Sequence, residues 1–212
     1  MRNPFRPLDI AEVFPSIEAE LGPYSRHFRG RVLNAGAGSR DISALVDGEL
    51  FNQDIEPDPH VDFVSPLDRV PVEDGFFDVV ICNAVLEHVA NPEEVVAELG
   101  RVTRPGGLLY LCVPFMQPEH LDPGDYQRYT LDGLRRLVER RGFEVREGGP
   151  VHSVYATLAW IVSEWLGGRR GPGARLLKAA IYPALRHKCR TSTEQVHSIA
   201  SACRVLAVRR EP

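Results

Sequence analysis

The segment Asn34-Ala35-Gly36-Ala37-Gly38-Ser39 follows an apolar run, and its two glycines let a backbone approach a ligand where a Cβ would obstruct it. Eighteen residues after Gly36, Asp54 closes the next apolar run. A carboxylate there can accept hydrogen bonds from both hydroxyls of a ribose, so the spacing describes a nucleoside site. A pyrophosphate-bearing dinucleotide calls for a third glycine, and Asp41 stands in that position. Its negative charge opposes a pyrophosphate. S-adenosylmethionine (SAM) has no phosphate, only a sulfonium and an amino-acid tail, so this position favours SAM over NAD.

A second group of chemically capable residues begins at Pro114-Phe115-Met116-Gln117-Pro118-Glu119-His120 and continues through Asp125-Tyr126-Gln127-Arg128-Tyr129-Thr130. His120 near Asp125 suits a general base oriented by a carboxylate. The alternative is that Asp125, Arg128 and Thr130 staple the loop while His120 is polar surface. Leu86-Glu87-His88 either pins a loop beneath a cofactor or takes part in the chemistry. Trp160 and Trp165, five apart on one helix, read as packing or as the wall of an apolar pocket. His152, His187 and His197 show no ligand spacing, and no metal site is expected.

Apolar runs alternating with helical patterns must position these groups, which is the mark of a parallel sheet with crossover helices. Strands are predicted at 31–35, 50–53, 61–64, 77–82, 108–113, 143–147 and 202–209. An amphipathic lead-in helix, interrupted by Pro15, covers 8–21, and a short helix begins near Arg40. Asn91, Pro92 and Glu94 form a capping-box-like start to a helix ending near Val102. Thr130 caps another that Gly142 stops, and two more span 151–166 and 173–187. These place 1–30 as a lead-in, 31–150 as the binding core, 151–201 as a helical lid and 202–212 as a final strand, all within one domain.

At 212 residues the chain has room for one sizeable core. Residues 1–150 carry a net charge of −11 and residues 151–212 carry +7. The basic part leaves room for an anionic or carrier-linked partner, or is a solvated helix face; the acidic body argues against nucleic acid. No transmembrane segment or signal peptide is read, and four scattered cysteines imply free thiols in a cytoplasmic protein.

Several motifs together resemble the class I SAM-dependent methyltransferases, specifically the type-11 methyltransferase-domain group, over about Val32 to Glu147. They are VLNAGAG, NQDIEP, VPVEDGFFDVVICNAVLEHV and ELGRVTRPGGLLYLCVP. The resemblance implies a Rossmann-like, doubly wound, mostly parallel seven-stranded sheet with helices on both faces. It implies that Gly36 and Gly38 frame the methionine tail and that Asp54 binds the ribose. Ile55 would pack on the adenine with the Leu67 backbone near its edge, and Asn83, Leu86 and His88 would face the methionine portion. Asn34 stands where many members carry an acid, and Pro66 where many carry an Asp. The implied reaction is methyl transfer to a small-molecule acceptor, with O-methylation of a sugar or secondary metabolite preferred because of His120. A SAM-binding partner subunit without transferase activity and an NAD-dependent oxidoreductase are the alternatives.

Overall fold

The computed structural model describes residues 13–121 and 124–211. Its strands are β1 (Arg29–Ala35), β2 (Asp47–Asp54), β3 (Phe63–Val64), β4 (Phe77–Asn83), β5 (Thr103–Pro114), β6 (Phe143–Val151) and β7 (Ala202–Arg209). They form one sheet in the order β3-β2-β1-β4-β5-β7-β6. The first five pair in parallel, and β7 runs antiparallel between β5 and β6.

Alternation along the strands divides the core between two faces. Leu33, Val80, Cys82, Leu109, Leu111 and Val205 point to one face. There they meet Val95, Val96 and Leu99 of α2 (Pro92–Val102) and Leu134 and Val138 of α3 (Leu131–Arg140), following α1 (Ile17–Leu21) in chain order. Val32, Val79, Ile81, Tyr110 and Leu206 point the other way, against Leu21, Phe28 and Ile42. Between β6 and β7 lie α4 (Val154–Gly167) and α5 (Pro172–Thr191), which pack together through Ala156, Ala159, Leu166 and Tyr182 with Val13.

Capping follows the sequence at α3, where the Thr130 hydroxyl accepts from the Gly133 N–H. Ser16 caps α1 in the same way after the Pro15 break; the earlier part of the expected lead-in helix lies outside the described residues. Asn91 does not complete a capping box. Its side-chain amide donates instead to Glu94, and no side chain caps the first turn of α2.

The helix expected from Arg40 is absent, and only a short 3-10 turn, Ser43–Leu45, is present. Eleven residues join β1 to β2, barely the length a crossover with its own helix requires. The Asp41 carboxylate accepts the Ser43 N–H at 2.8 Å, which turns the chain early. Buried Ile42 then covers the sheet face that a helix would have covered. The Pro105-Gly106-Gly107 turn becomes an irregularity inside β5, since pairing with β4 jumps from Phe77–Thr103 to Val79–Leu108. All four cysteines are free, and no helix among the described residues is long and apolar enough to cross a membrane.

Candidate functional site

The glycine turn leaves the carboxyl end of β1 with Gly36 at φ +65° and Gly38 at φ +53°. Residues at the end of β2 hold it. Buried Gln53 accepts the Gly36 N–H at 3.0 Å through its side-chain oxygen and donates to the Ser65 carbonyl at 2.6 Å. Asp54 accepts the Gly38 N–H at 2.7 Å and the Glu56 N–H at 3.0 Å, one on each carboxylate oxygen. A Cβ at Gly36 would stand 2.4 Å from a Val85 methyl, whereas one at Gly38 would meet nothing within 4 Å. The first glycine is therefore demanded by the protein, and the second leaves open space above the turn.

Around this turn the residues singled out from the sequence fall into two groups. Ile55 projects beside Asp54 with 63% of its surface exposed. Leu67 is buried in the core facing α2, as is Leu86. Asn34 is buried and donates to the Asn52 side chain at 3.0 Å, so its amide ties β1 to β2. Asn83 ends β4 with its side-chain amide donating to Glu20 at 3.1 Å.

Arg40 was not foreseen. Its Nη2 donates to the Gly36 carbonyl at 3.2 Å and the Asn83 carbonyl at 2.9 Å. Two backbone oxygens from the ends of adjacent strands thus converge on one cationic nitrogen. His60 was also missed; it reaches from the β2–β3 loop to the Gly38 carbonyl at 2.7 Å. Both are loop residues, and their contacts with Asn83 and Gly38 respectively are long-range, so local sequence carries no signal of them.

A cavity of about 380 Å³ opens beside Arg40 at the carboxyl ends of the strands, lined in part by Glu20, Asn83, His120, His152 and Trp160. Glu20 pairs with His152 at 3.0 Å. Burial raises the Glu20 pKa, but bonds from His152 and Asn83 and the charges of His152 and Arg40 outweigh it and leave the carboxyl below its usual value. Trp160 lies against His120, with ring centroids 5.5 Å apart. Trp165 is half exposed and stacks under Arg169 instead.

His120 and Asp125 lie together, but not as a hydrogen-bonded imidazole–carboxylate pair. Asp125 accepts the His120 backbone N–H at 2.9 Å, while its nearest approach to the ring is 3.6 Å. Both Asp125 oxygens are gripped by Arg128, whose guanidinium, ahead of the opposing effect of burial, pulls the carboxyl down to about 2. The carboxylate facing His120 Nε2 is Glu87, at 3.8 Å, which raises the imidazole pKa against the lowering effect of burial. Gln127 donates to the Leu86 and Val89 carbonyls, and Tyr126 N–H to the Glu87 carbonyl. These bonds fasten the loop after β5 onto the loop after β4.

Residues 41–111 match the family model described as "Methyltransferase domain". Over 70 residues the chain is 36% identical to demethylmenaquinone methyltransferase of Mycobacterium tuberculosis, covering 33% of this chain and 30% of that one. The chain spans less than two fifths of the length of the first curated relatives it matches. Among solved structures, the 4+2 cyclase SpnF superposes with a TM-score of 0.61 at 15% identity, over 97% of this chain and 85% of that one. The 1,6-didemethyltoxoflavin-N1-methyltransferase of Burkholderia thailandensis, with its substrate and S-adenosylhomocysteine bound, superposes at 0.58 with 16% identity, covering 96% and 80%. The matched segment is similar to a methyltransferase domain, and the sheet around it shares the fold of these solved structures.

Proposed function

We propose that this chain, built on that fold, transfers a methyl group from SAM to a small-molecule acceptor held in the cavity. The observation that carries the proposal is the Arg40 nitrogen shared by the Gly36 and Asn83 carbonyls. A ligand-binding turn that converges two acceptors on a cation suits the ammonium of an amino-acid tail, and Arg40 stands in for it.

Gly36 and Gly38 then frame the methionine tail, and Asp54 meets the ribose with a carboxylate already aimed by two backbone N–H groups. Exposed Ile55 supplies an apolar face for the adenine, near the Leu67 backbone. Asn83 bounds the methionine portion, while Leu86 and His88 hold the strand-end loop below it. SAM supplies an electrophilic methyl whose leaving group is already activated. The protein's contribution is therefore alignment and exclusion of water. His152 and, from α4, Trp160 line the cavity, in keeping with a lid formed by 151–201.

For the acceptor, we favour a hydroxyl of a sugar or secondary metabolite, because His120 is a cavity-wall imidazole with Asp125 fixing its backbone. The basic face of α5 suits an anionic or carrier-linked acceptor. The cyclase SpnF, sharing the fold, keeps a SAM-binding protein without transferase activity as a second reading.

Calorimetry with SAM and with NAD, followed by a labelled-methyl assay across hydroxyl, amine and thiol acceptors, tests the proposal. Micromolar SAM binding with label transfer is expected. NAD binding without SAM binding overturns it, and SAM binding without transfer to any acceptor selects the second reading.

A further inference from the structure

Glu87, His88 and His120 gather beside the cavity, which His120 lines. The Glu87 side chain is fully buried, and among the described residues neither of its carboxylate oxygens has a hydrogen-bond partner. A carboxylate in that condition is costly, and an ion is one of the few things that repays it. Oε1 of Glu87 faces Nε2 of His88 at 3.6 Å and Nε2 of His120 at 3.8 Å, and one donor atom from each residue lies within 4.8 Å of the others. These separations are too long for hydrogen bonds. They lie close to the ~3.3–3.5 Å between ligand atoms that each stand ~2.0–2.1 Å from a tetrahedral zinc ion.

The far side of each ring supports the same conclusion. His88 Nδ1 meets the Gly124 carbonyl, and His120 Nδ1 meets the Pro118 carbonyl at 3.3 Å. A carbonyl only accepts, so a proton on each Nδ1 would be satisfied there and would leave the Nε2 lone pair facing Glu87, the tautomer a metal ion requires. A backbone carbonyl behind each imidazole is the usual support of a metal-ligating histidine. Arg128, 3.5 Å from His120 Nδ1, has its charge answered by Asp125.

We infer that Glu87, His88 and His120 bind a divalent first-row transition ion, zinc in preference to magnesium, at the edge of the cavity. Two imidazoles and one carboxylate select zinc-like ions over hard cations, and three protein ligands leave a coordination position for water or an acceptor hydroxyl. His120 belongs to both the cluster and the cavity wall, so the ion stands between the buried carboxylate and the acceptor space. An ion there assigns His120's part at the acceptor to the metal, in place of direct proton transfer. The inference goes beyond methyl transfer, and metal binding is read without turnover.

Chelator-treated, dialysed full-length protein is titrated with Zn²⁺ by calorimetry and with Co²⁺ by visible absorption, with Mg²⁺ as the comparison. One Zn²⁺ per chain at micromolar or tighter affinity is expected, with a cobalt spectrum free of thiolate charge-transfer bands. Glu87→Gln and His120→Asn are each expected to weaken Zn²⁺ at least about 100-fold, the upper end of the loss known for supporting residues alone. Metal-free Glu87→Gln is expected to melt no lower than metal-free wild type, because it replaces a buried carboxyl that has no hydrogen-bond partner among the described residues with an amide of the same shape; this excludes misfolding as the cause. Zinc should raise the wild-type melting temperature and leave Glu87→Gln unmoved. Failure to bind Zn²⁺ below millimolar concentration, binding unchanged by both substitutions, or a thiolate-type cobalt spectrum would each overturn the inference. SAM calorimetry on the same metal-free sample separates this failure from failure of the methyltransferase reading.

Discussion

Glu20 and His152 meet at 3.0 Å across 132 positions of sequence, and the contact joins α1 to the turn that leads into α4. His152 accepts a left-handed backbone, φ +66°, to make it. Its other ring nitrogen lies 2.7 Å from the Ser201 hydroxyl and its ring lies against Phe14, so three segments hold the strained residue in place. One wall of the cavity thus depends on a carboxylate in α1.

The pair makes stability depend on acid. Glu20 has a folded-state pKa below its unfolded value, so between the two the unfolded chain binds more protons and stability rises with pH. The contribution is complete above the unfolded value, which is near 4.5, and is lost as pH falls through the folded one. Urea unfolding over this range should show that slope in wild type and a shallower one in Glu20→Gln. The variant should also be less stable near neutral pH by about 1–3 kcal/mol, the cost of weakening buried hydrogen bonds to a charged group. An unchanged slope would show that other carboxylates carry the acid response.

The two glycines of the turn should separate folding from binding. Gly36→Ala drives a Cβ to 2.4 Å from Val85 in a left-handed conformation, so a lowered melting temperature and lost SAM binding are expected together. Gly38→Ala places its methyl in open space and should cost only about 1 kcal/mol of stability for its positive φ. SAM affinity should nonetheless fall about tenfold or more, equivalent to about 1.4 kcal/mol. Melting curves beside calorimetry decide between the two behaviours.

Asp54→Asn tests the ribose contact. The amide oxygen still accepts from one backbone N–H, so the fold should hold to within about 1 kcal/mol. Loss of the charge-assisted bonds to two hydroxyls should weaken SAM about 10- to 100-fold. Equal SAM affinity in wild type and variant would remove Asp54 from the cofactor site.

Much of this arrangement was legible because it rests on local patterns. Continuous apolar runs such as Phe77–Cys82 located the central strands, Thr130 marked its helix, and the glycines with Asp54 marked the turn. The missing helix after Arg40 was not legible from its residues, because an Asx turn and the buried side chain of Ile42 settled a competition that propensity leaves open. Glu87 reads as a polar residue in a loop, yet the fold buries it completely. Its neighbours Val85, Leu86 and Val89 were the available hint. Glu20 meets Asn83 and His152, His60 meets Gly38 and Arg40 meets Asn83 only once the strands are assembled, and such contacts are properties of the topology rather than of any window of sequence.

Arg40 provides the test most specific to this chain. If its guanidinium holds the place of the cofactor's ammonium, the amino-acid tail must displace it, and part of the tail's binding energy offsets the lost Arg40 contacts. Comparing S-adenosylhomocysteine with methylthioadenosine, which lacks the tail, isolates that cost. In wild type the tail should contribute modestly. In Arg40→Met, where both carbonyls stand free, the affinity ratio of the two ligands should grow about tenfold, or about 1.4 kcal/mol. Methylthioadenosine binding should itself be unchanged, since its adenine and ribose contacts lie at Ile55 and Asp54. A ratio that shrinks instead would show that Arg40 swings aside and pairs with the tail's carboxylate, making it a ligand of the cofactor rather than its competitor.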